Sequence, residues 1–444
     1  MSEFLESRAK ERSLRGSKLI QKCATYRIGV CVCSSVAIPT ARATQPISVA
    51  MTDSHWRPGN TKANISFVQM EVFPKGLMDV RSGSTALKGQ TLASGTIEFD
   101  IKLTGTGSPG IRFHQVGRET AEQIYLRPGA DCAASQDCLQ YAPIMHGAML
   151  WDAFPQYQRP APIFVQGWNH FKIVISGRRM KVYVNGAVSP TLAVGRLEGD
   201  STNGEIQVSG PATFANFTLT PNEVDGLSGQ PVTDITKSDG RYIRSWYVSP
   251  FFVLPKGKNL TSAELPPRST LWKKMPVARN GLVNLSRVYK TPDPGPLRCV
   301  AWLKTSIQSD RDQEKQVSIG WLREVWIFVN GKPVFSGRNF WDPPGPKLTP
   351  DGRLSLKNSS FTLQLKGETN EMHVAVSNEE SDSETHFGLG LEMRLDDRKG
   401  LRCKTSLIHV KCPLLHAPTV AVLGAGSEPN GTLLELRLSV DWPL

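Results

Sequence analysis

Polar side chains that suit acid–base chemistry follow two neighbouring strand-like runs in the first half of the sequence. In GIRFHQV, Arg112 and His114 are two residues apart, and in EQIYLRP the same spacing relates Gln123, Tyr125 and Arg127. Because alternate residues of a strand face the same side, each run is predicted to present its polar groups on one face. An arginine could neutralise an anionic group while a histidine or tyrosine moves a proton. A half-exposed sheet without any function has the same pattern, so a plain surface remains the alternative.

A second group of candidates combines aromatic rings with planar polar groups, and part of this group lies in a segment that reads as a loop. Trp151 and Asp152 lie in a proline-bounded stretch, where contact with a ligand is favoured over core packing. Rings that stack and polar groups that bridge hydroxyls are what a sugar-binding surface needs. The candidates from this group are Tyr125, Arg127, Tyr141, His146, Trp151, Asp152 and Tyr157 in the first half of the chain, and Arg338, Asn339 and Trp341 in the second. For Trp341, which precedes a rigid DPPGP run, a lid over one end of the fold is the alternative.

Several other chemistries lack their motifs. The sequence has no phosphate loop, dinucleotide fingerprint, nucleophile elbow or His-Glu-x-x-His pattern. These absences predict no nucleotide or catalytic metal cofactor, and a structural calcium stays open. Glu392 with Asp396 and Asp397 is an unspecific donor set for a structural calcium, because this ion prefers carboxylate oxygens.

The elements that must position these residues are strands. The chain has 38 Gly and 31 Pro among 444 residues, and short alternating runs recur from about residue 56 to 220 and again from 241 to 400. Asn185-Gly186 and Asn330-Gly331 predict tight hairpin turns, since both central positions of such a turn need positive φ. We therefore predict an all-β fold of two β-sandwich (jelly-roll) domains in tandem, at 51–225 and 241–400. Residues 226–240 form a short Gly/Ser/Pro linker, and 401–444 form a tail of uncertain structure.

The first 50 residues read as an export leader or a disordered segment. Six basic residues between positions 8 and 22 precede the moderately apolar stretch IGVCVCSSVAI, which is followed by Ala41-Arg42-Ala43. This pattern predicts a signal peptide and a secreted, periplasmic or cell-surface protein. The alternative is a cytoplasmic protein whose translation starts at Met51. No later segment has the ~20 unbroken apolar residues that a membrane span needs.

The cysteines bear on the same question. Cys132 and Cys138 bracket the short polar loop CAASQDC, a spacing that suits a disulfide in an oxidising compartment, with two free thiols as the alternative. Cys299 lies in an apolar run and is interpreted as a core residue. Cys403 and Cys412 could pair in the tail.

The net charge of +12 is spread along the chain with acidic residues between the basic ones. Nucleic-acid binding needs a basic stripe with interleaved aromatic residues, so this class of partner is disfavoured. A solvated basic surface is the simplest reading, and affinity for acidic polymers stays open.

Both modules resemble known jelly rolls. The first resembles the laminin-G-like members of the concanavalin A-like lectin/glucanase superfamily in GTIEFDIKL, LQYAPIMHGAMLWDAF, WNHFKIVISGRRMKVYVNG and GEIQVSGPATFANFTL. The second is similar to galactose-binding-domain-like jelly rolls in EVWIFVNGKPVFSGRNFW, DGRLSLKNSSFTLQLKGETNEMHVAVSN and GLGLEMRLDD. The resemblance implies the sandwich fold and says little about the ligand.

The first resemblance also implies a test for catalysis. Glucanases of that superfamily place two glutamates on one strand with an aspartate between them, and this chain has no such E-x-D-x-x-E motif; Glu98 and Asp100 lack the second glutamate. The leading hypothesis is therefore an exported, non-catalytic, lectin-like protein that binds a polysaccharide or glycan. The alternatives are a polysaccharide lyase or atypical glycosidase that uses Arg112, His114, Gln123 and Tyr125, and a protein-interaction or envelope-assembly module with another protein as its partner.

Overall fold

The computed structural model describes residues 45–129, 131–290, 297–341, 352–378 and 388–402. Antiparallel strands form two β-sandwiches in tandem, and the described residues contain no α-helix. The all-β prediction is confirmed. The predicted leader up to residue 44, the tail from residue 403, and Cys403 and Cys412 lie outside the described residues.

Within the described residues, the first sandwich has sixteen strands. Their bounds are β1 Ile47–Ser48, β2 Trp56–Pro58, β3 Asn64–Met70, β4 Phe73–Ser82, β5 Ser84–Leu92, β6 Gly95–Leu103, β7 Gly110–Val116, β8 Thr120–Leu126, β9 Leu139–Met145, β10 Ala148–Met149, β11 Gln158–Arg159, β12 Trp168–Ser176, β13 Arg179–Val184, β14 Leu192–Val194, β15 Gly204–Ser209 and β16 Ala212–Pro221. One sheet has the order β14-β13-β12-β6-β16-β4-β3, with β1 paired to β16. The facing sheet has the order β10-β9-β8-β7-β15-β5-β2, with β11 paired to β9.

The second sandwich contains the remaining strands. Their bounds are β17 Trp246–Pro255, β18 Lys273–Met275, β19 Val283–Asn284, β20 Leu297–Ser309, β21 Gln313–Trp321, β22 Arg323–Val329, β23 Lys332–Asn339, β24 Ser359–Leu365, β25 Thr369–Ser377, β26 Gly390–Leu395 and β27 Leu401–Arg402. Its larger sheet has the order β18-β17-β20-β25-β22-β23, with β27 paired to β20, and the smaller sheet has the order β19-β26-β21-β24. Short 3₁₀ turns connect several strands, at Pro155–Tyr157, Ser262–Glu264, Arg279–Gly281 and Leu285–Arg287.

The alternation in the sequence explains which side chains fill the cores. In β6 the apolar residues Ile97, Phe99 and Ile101 are buried, while the intervening acidic residues are only half-buried. Phe99 stacks on Phe171 of the neighbouring strand, with ring centroids 5.5 Å apart. Burying this face stabilises the sheet by roughly 25 cal/mol for each Å² of apolar surface removed from water.

Both Asn-Gly pairs have the positive φ angles that the sequence predicts, but only Asn330-Gly331 forms the predicted tight hairpin. Asn330 and Gly331 have φ angles of 50° and 79° and join β22 to β23 as a tight hairpin. Asn185 and Gly186, with φ of 53° and 72°, end β13 and begin the loop to β14. Asparagine and glycine tolerate this left-handed conformation better than other residues, which is why both pairs lie where the chain leaves a strand.

Residues of both the predicted leader and the predicted linker make ordered contacts with the first module. Ile47 and Ser48, which fall inside the predicted leader, pair with β16, and Val49 and Met51 are buried in the first core. In the predicted linker, the backbone N–H of Val232 donates to the carbonyl of Gly195 at 2.9 Å. The folded first module therefore includes residues that sequence patterns alone assign to a leader.

The two sandwiches pack against each other. Leu282, Leu322 and Leu354 of the second module are buried in the same apolar cluster as the core of the first. This shared cluster fixes the position of the polar residues around it, and we call the contact region between the sandwiches the module junction.

Candidate functional site

Several of the predicted ligand-binding residues meet at the module junction. The rings of Trp151 and Trp341 contact edge to face with centroids 5.0 Å apart. The guanidinium of Arg353 lies over both rings, at 5.2 Å from Trp151 and 4.7 Å from Trp341, and Arg127 lies 5.0 Å from the Trp341 ring. Such cation–π contacts are worth about 0.5–2 kcal/mol each. The structure therefore brings these side chains together, but as a contact between the two modules.

Trp151 and Asp152 are not the ligand-facing loop residues that the sequence predicts. Both side chains are buried, and Asp152 Oδ2 accepts a hydrogen bond of 2.8 Å from Arg323 of the second module. The backbone N–H of Gly388 also donates to this carboxylate. Burial raises the pKa of Asp152 to about 6, against the opposing effect of Arg323. Packing of a second module over this loop is what removes it from solvent.

The polar face predicted for β7 and β8 does not form as expected. His114 has a φ of 50° and lies in a bulge where the pairing of β7 with β8 shifts register, so its side chain turns inward and is buried. A ring nitrogen of His114 contacts the carbonyl of Ala93 at 3.0 Å, and burial lowers its pKa to about 4. Arg112 is half-buried and donates to Gln123 at 2.9 Å. These residues therefore do not form the open polar face that the lyase hypothesis requires.

The remaining candidates have local roles. Tyr125 is buried and donates to Gln140 Oε1 at 2.8 Å. Asn339 is buried and donates to the carbonyls of Trp321 and Arg353, while the exposed Arg338 donates to Glu324. The exposed His146 contacts the carbonyl of Ser286 in the second module at 3.0 Å.

Glu98 and Asp100 lie on the outer side of β6, and His170 of β12 is between them. The two ring nitrogens of His170 lie 2.8 Å from Asp100 Oδ1 and 3.4 Å from Glu98 Oε2. The hydrogen bond to Asp100 raises the pKa of His170. These carboxylates therefore form part of a surface cluster, in keeping with their interpretation as a polar strand edge.

The two remaining tyrosines lead to a group of glutamates that sequence reasoning missed. Tyr141 donates to Glu122 Oε2 at 2.7 Å and accepts from the backbone N–H of Glu198 at 2.6 Å. Tyr157 donates to Glu198 Oε1 at 3.3 Å, and the two tyrosine rings contact edge to face. Burial raises the pKa of Glu122 to about 8. Glu122 precedes Gln123 in the strand-like run, so the alternation placed it on the side opposite to the predicted polar face. The sequence pattern therefore did not mark it as a candidate.

Glu198 lies on a cavity between the two modules. This cavity has a volume of about 260 Å³, and its wall includes residues from the first module, the linker and the second module. The polar and aromatic part of the wall consists of Phe154, Gln156, Tyr157, Glu198, Arg279, Asn280 and Glu392. Burial raises the pKa of Glu392 to about 7 and also raises that of Glu198, which Arg196 and Arg279 oppose.

A second cavity of about 460 Å³ adjoins the first and shares Glu198 and Arg279 with it. We call the two together the junction cleft. The local backbone explains the placement of Arg279, because Asn280 and Gly281 both have positive φ and turn the chain sharply at this point. No sequence motif marks the cleft, since its residues come from several separate segments between Ala153 and Glu392.

The disulfide loop also reaches the module junction. Cys132 and Cys138 form a disulfide, with Cα atoms 5.0 Å apart. Asp137, within the loop, forms an ion pair with Arg353 of the second module. Cys299 is a buried free thiol in the second sandwich.

The predicted calcium donors do not come together. Asp397 Oδ1 accepts from Lys315 Nζ at 2.6 Å, whereas Glu392 lines the junction cleft. Across the described ranges, no three His, Cys, Asp or Glu side chains are grouped as a metal ion would require. The residues present therefore do not fit this ion.

In the described part of the chain, no helix is both long and apolar enough to cross a bilayer.

The comparisons with known proteins give structural neighbours only. No protein-family model matches the sequence, and no curated protein matches it. A carbohydrate-binding module of Bacillus subtilis, CBM66, matches 38% of this chain and 93% of its own at 15% identity, with a TM-score of 0.26. The β-glucanase of Bacillus licheniformis matches 40% of this chain and 99% of its own at 12% identity, with a TM-score of 0.29. Domain 4 of an extracellular arabinanase of Geobacillus stearothermophilus matches 41% of this chain and 85% of its own at 9% identity, with a TM-score of 0.25. Values this low support no inference about the ligand or activity of this chain.

Proposed function

We propose that the protein binds a carbohydrate in the junction cleft. The observation that carries this proposal is the composition of the cleft wall, where the aromatic side chains Phe154 and Tyr157 lie beside the planar polar groups of Gln156 and Arg279. Sugars are held by rings that cover their apolar faces and by planar groups that bridge neighbouring hydroxyls. The proposed binding site therefore lies between the modules and not on the open face that the sequence predicts.

The surroundings of the cleft favour binding without large rearrangement. Tyr157 is held by its hydrogen bond to Glu198, and the junction contacts of Asp152 and Arg353 fix one module against the other. A wall that is ordered before the ligand arrives lowers the entropic cost of binding. This rigidity suits a binding protein.

The test replaces a cleft residue whose loss leaves the core intact. Gln156 lines the cavity and is exposed, so Gln156→Ala removes a polar contact without opening a hole in the sandwich. Loss of one hydrogen bond to a sugar hydroxyl is expected to weaken binding about 3- to 10-fold. Isothermal titration with a panel of soluble polysaccharide fragments measures the affinity.

Gln69→Ala is the matched control, because Gln69 is an exposed glutamine on β3, outside the cleft. It is expected to bind with wild-type affinity. Absence of binding to every saccharide at millimolar concentration, or equal losses in both variants, would overturn the proposal.

A second candidate function is hydrolysis, which one observation favours. Glu198 and Glu392 line the same cavity, and burial raises the pKa of both, that of Glu392 to about 7. A carboxyl group that stays protonated near neutral pH can act as a general acid, with a second carboxylate as its partner. This arrangement does not depend on the glucanase motif that the sequence lacks.

Product release from β-glucans and uronate polymers tests the hydrolytic function. Glu392→Gln removes the titrating proton and is expected to abolish turnover, whereas Glu71→Gln, at an exposed glutamate of the first module, is expected to leave it unchanged. Undiminished product release by Glu392→Gln would exclude Glu392 as the general acid. Absence of product release by the wild-type protein would leave binding as the function.

We also infer that the protein works outside the cytosol. The disulfide between Cys132 and Cys138 supports this proposal, because such bonds persist in oxidising compartments. Mass spectrometry of protein isolated from its source under alkylating conditions tests it. Two freely alkylated thiols at these positions would count against an exported protein.

A further inference from the structure

The larger cavity of the junction cleft has more basic than acidic residues in its wall. The basic residues are Arg196, Lys237, Arg244, Arg279 and Arg287, and the acidic ones are Glu198 and Asp234. All four arginine side chains are partly exposed, at 26–36% of their maximum. The cavity therefore presents positive charge to whatever enters it.

Contacts within the protein use only part of this charge. Glu198 lies 3.5 Å from Arg196 and 3.9 Å from Arg279, so one carboxylate faces two guanidinium groups without a close bond to either. Asp234 lies 3.5 Å from Arg244. The Nε atoms of all four arginines are buried and make no hydrogen bond within the described part of the chain, so a ligand in the cavity would meet the Nη groups.

Arg287 and Arg244 are held mainly by other groups. Arg287 pairs with Asp200 at 2.6 Å and contacts the carbonyl of Glu198. Arg244 donates to the carbonyl and hydroxyl of Thr236 and to the carbonyl of Ala278. These bonds keep both guanidinium groups in place, whereas Arg196 and Arg279 retain donors for a ligand.

We propose that the carbohydrate bound in the junction cleft carries a carboxylate, as a uronic acid does, and that Arg279 and Arg196 bind this group in the larger cavity. The inference rests on the proposed carbohydrate binding and names the class of sugar. A guanidinium presents its N–H groups as a planar fork that matches the two oxygens of a carboxylate. A neutral sugar would leave this excess of positive charge uncompensated.

The smaller cavity completes the site. It shares Arg279 with the larger one and contains the aromatic wall of Phe154 and Tyr157. At about 260 and 460 Å³, the two adjoining cavities suit neighbouring units of one chain, the first held by ring contacts and the second by charge. The net charge of +12 adds a general attraction for acidic polymers.

The test compares two forms of one polymer. Oligogalacturonate and its fully methyl-esterified counterpart share a backbone and differ in charge, so their affinities isolate the carboxylate. Wild-type protein is expected to bind the acidic form at least about 10-fold more tightly, since a charge-assisted bidentate bond is worth more than a neutral one. The preference is expected to fall as salt concentration rises.

Arg279→Gln and Arg196→Gln are expected to lose most of this preference, and Arg279→Lys, which keeps the charge without the fork, to lose part of it. Arg81→Gln is the control, because Arg81 is an exposed arginine on β4 that contacts only Asp79 among the described acidic residues. A thermal melt of each variant checks that it is folded. Among the described residues Arg196 forms an ion pair with Glu198 only, so its replacement is expected to leave the fold intact.

The outcomes separate the two proposals. Equal affinity for the acidic and esterified forms would overturn the carboxylate inference while carbohydrate binding stands. Tighter binding of a sulfated polymer of similar charge density would also overturn it, because the anionic group would then be a sulfate. Absence of binding to any acidic or neutral saccharide would refute the proposed function itself.

Discussion

The ion pair between Asp152 and Arg323 offers a direct test of the module junction. Both side chains are fully buried, and they come from different sandwiches. Asp152→Asn removes the negative charge but keeps the size of the side chain and one oxygen that accepts from Gly388. We therefore expect this variant to measure how much the charge of Asp152 contributes to its buried contact with Arg323.

The magnitude follows from the geometry. Arg323 Nη2 donates to Asp152 Oδ2 at 2.8 Å in a region without solvent access, so water cannot replace the lost charge. Breaking one partner of a buried ion pair costs about 3–5 kcal/mol. The expected loss in the free energy of unfolding is about 3 kcal/mol, toward the lower end because Asn keeps the backbone contact.

Urea unfolding followed by tryptophan fluorescence measures this loss, since Trp151 and Trp341 report on the same region. Asp131→Asn is the control, because Asp131 is an exposed aspartate that immediately precedes the disulfide loop. Its replacement is expected to change stability by no more than about 0.5 kcal/mol.

A double replacement separates charge from packing. Asp152→Leu combined with Arg323→Met substitutes apolar groups for both charges and is expected to be far more stable than Asp152→Asn. A loss below about 1 kcal/mol in Asp152→Asn would refute the role assigned to this pair at the junction.

Three further predictions concern single features. The pKa of Glu122 is raised to about 8 in the fold from a usual value of 4.5, so its contribution to stability is fully present below pH 4.5 and is lost as the pH rises through 8. The melting temperature of Glu122→Gln is therefore expected to change less with pH across this range than that of wild type. Replacing Cys132 and Cys138 by serine opens a bridge with a sequence separation of 6 and is expected to lower the free energy of unfolding by about 2 kcal/mol, and an equal stability under reducing and oxidising conditions would contradict this. Gly331→Ala places a side chain at a φ of 79° with no neighbour within 4 Å, so backbone strain alone is expected to lower the free energy of unfolding by about 1 kcal/mol. Gly129→Ala is the control, because Gly129 also has open space around it but no positive φ, and its replacement is expected to cost less.

Much of the local structure could be predicted from the sequence. The alternation in GTIEFDIKL gives the buried face of β6, and Asn330-Gly331 gives the hairpin between β22 and β23. These features depend on the two-residue period of a strand and on the φ angles that asparagine and glycine adopt. They are properties of a few neighbouring residues, so a short window of sequence contains them.

The same alternation misled at His114. A bulge in β7 inserts extra residues into the pairing and reverses the side that the following side chain faces. No signal in GIRFHQV marks the bulge, because it depends on how β8 and β15 pair with this strand.

The candidate site was decided by tertiary structure. Trp151 and Asp152 have the composition of a ligand-binding loop, but residues 171 positions along the chain cover them. Glu198, Arg279 and Glu392 carry no motif and meet only because the two sandwiches pack on a shared apolar cluster. Strand patterns are encoded locally, whereas the exposure of a polar group depends on which distant surface packs against it, and that is set by the summed burial of the whole interface.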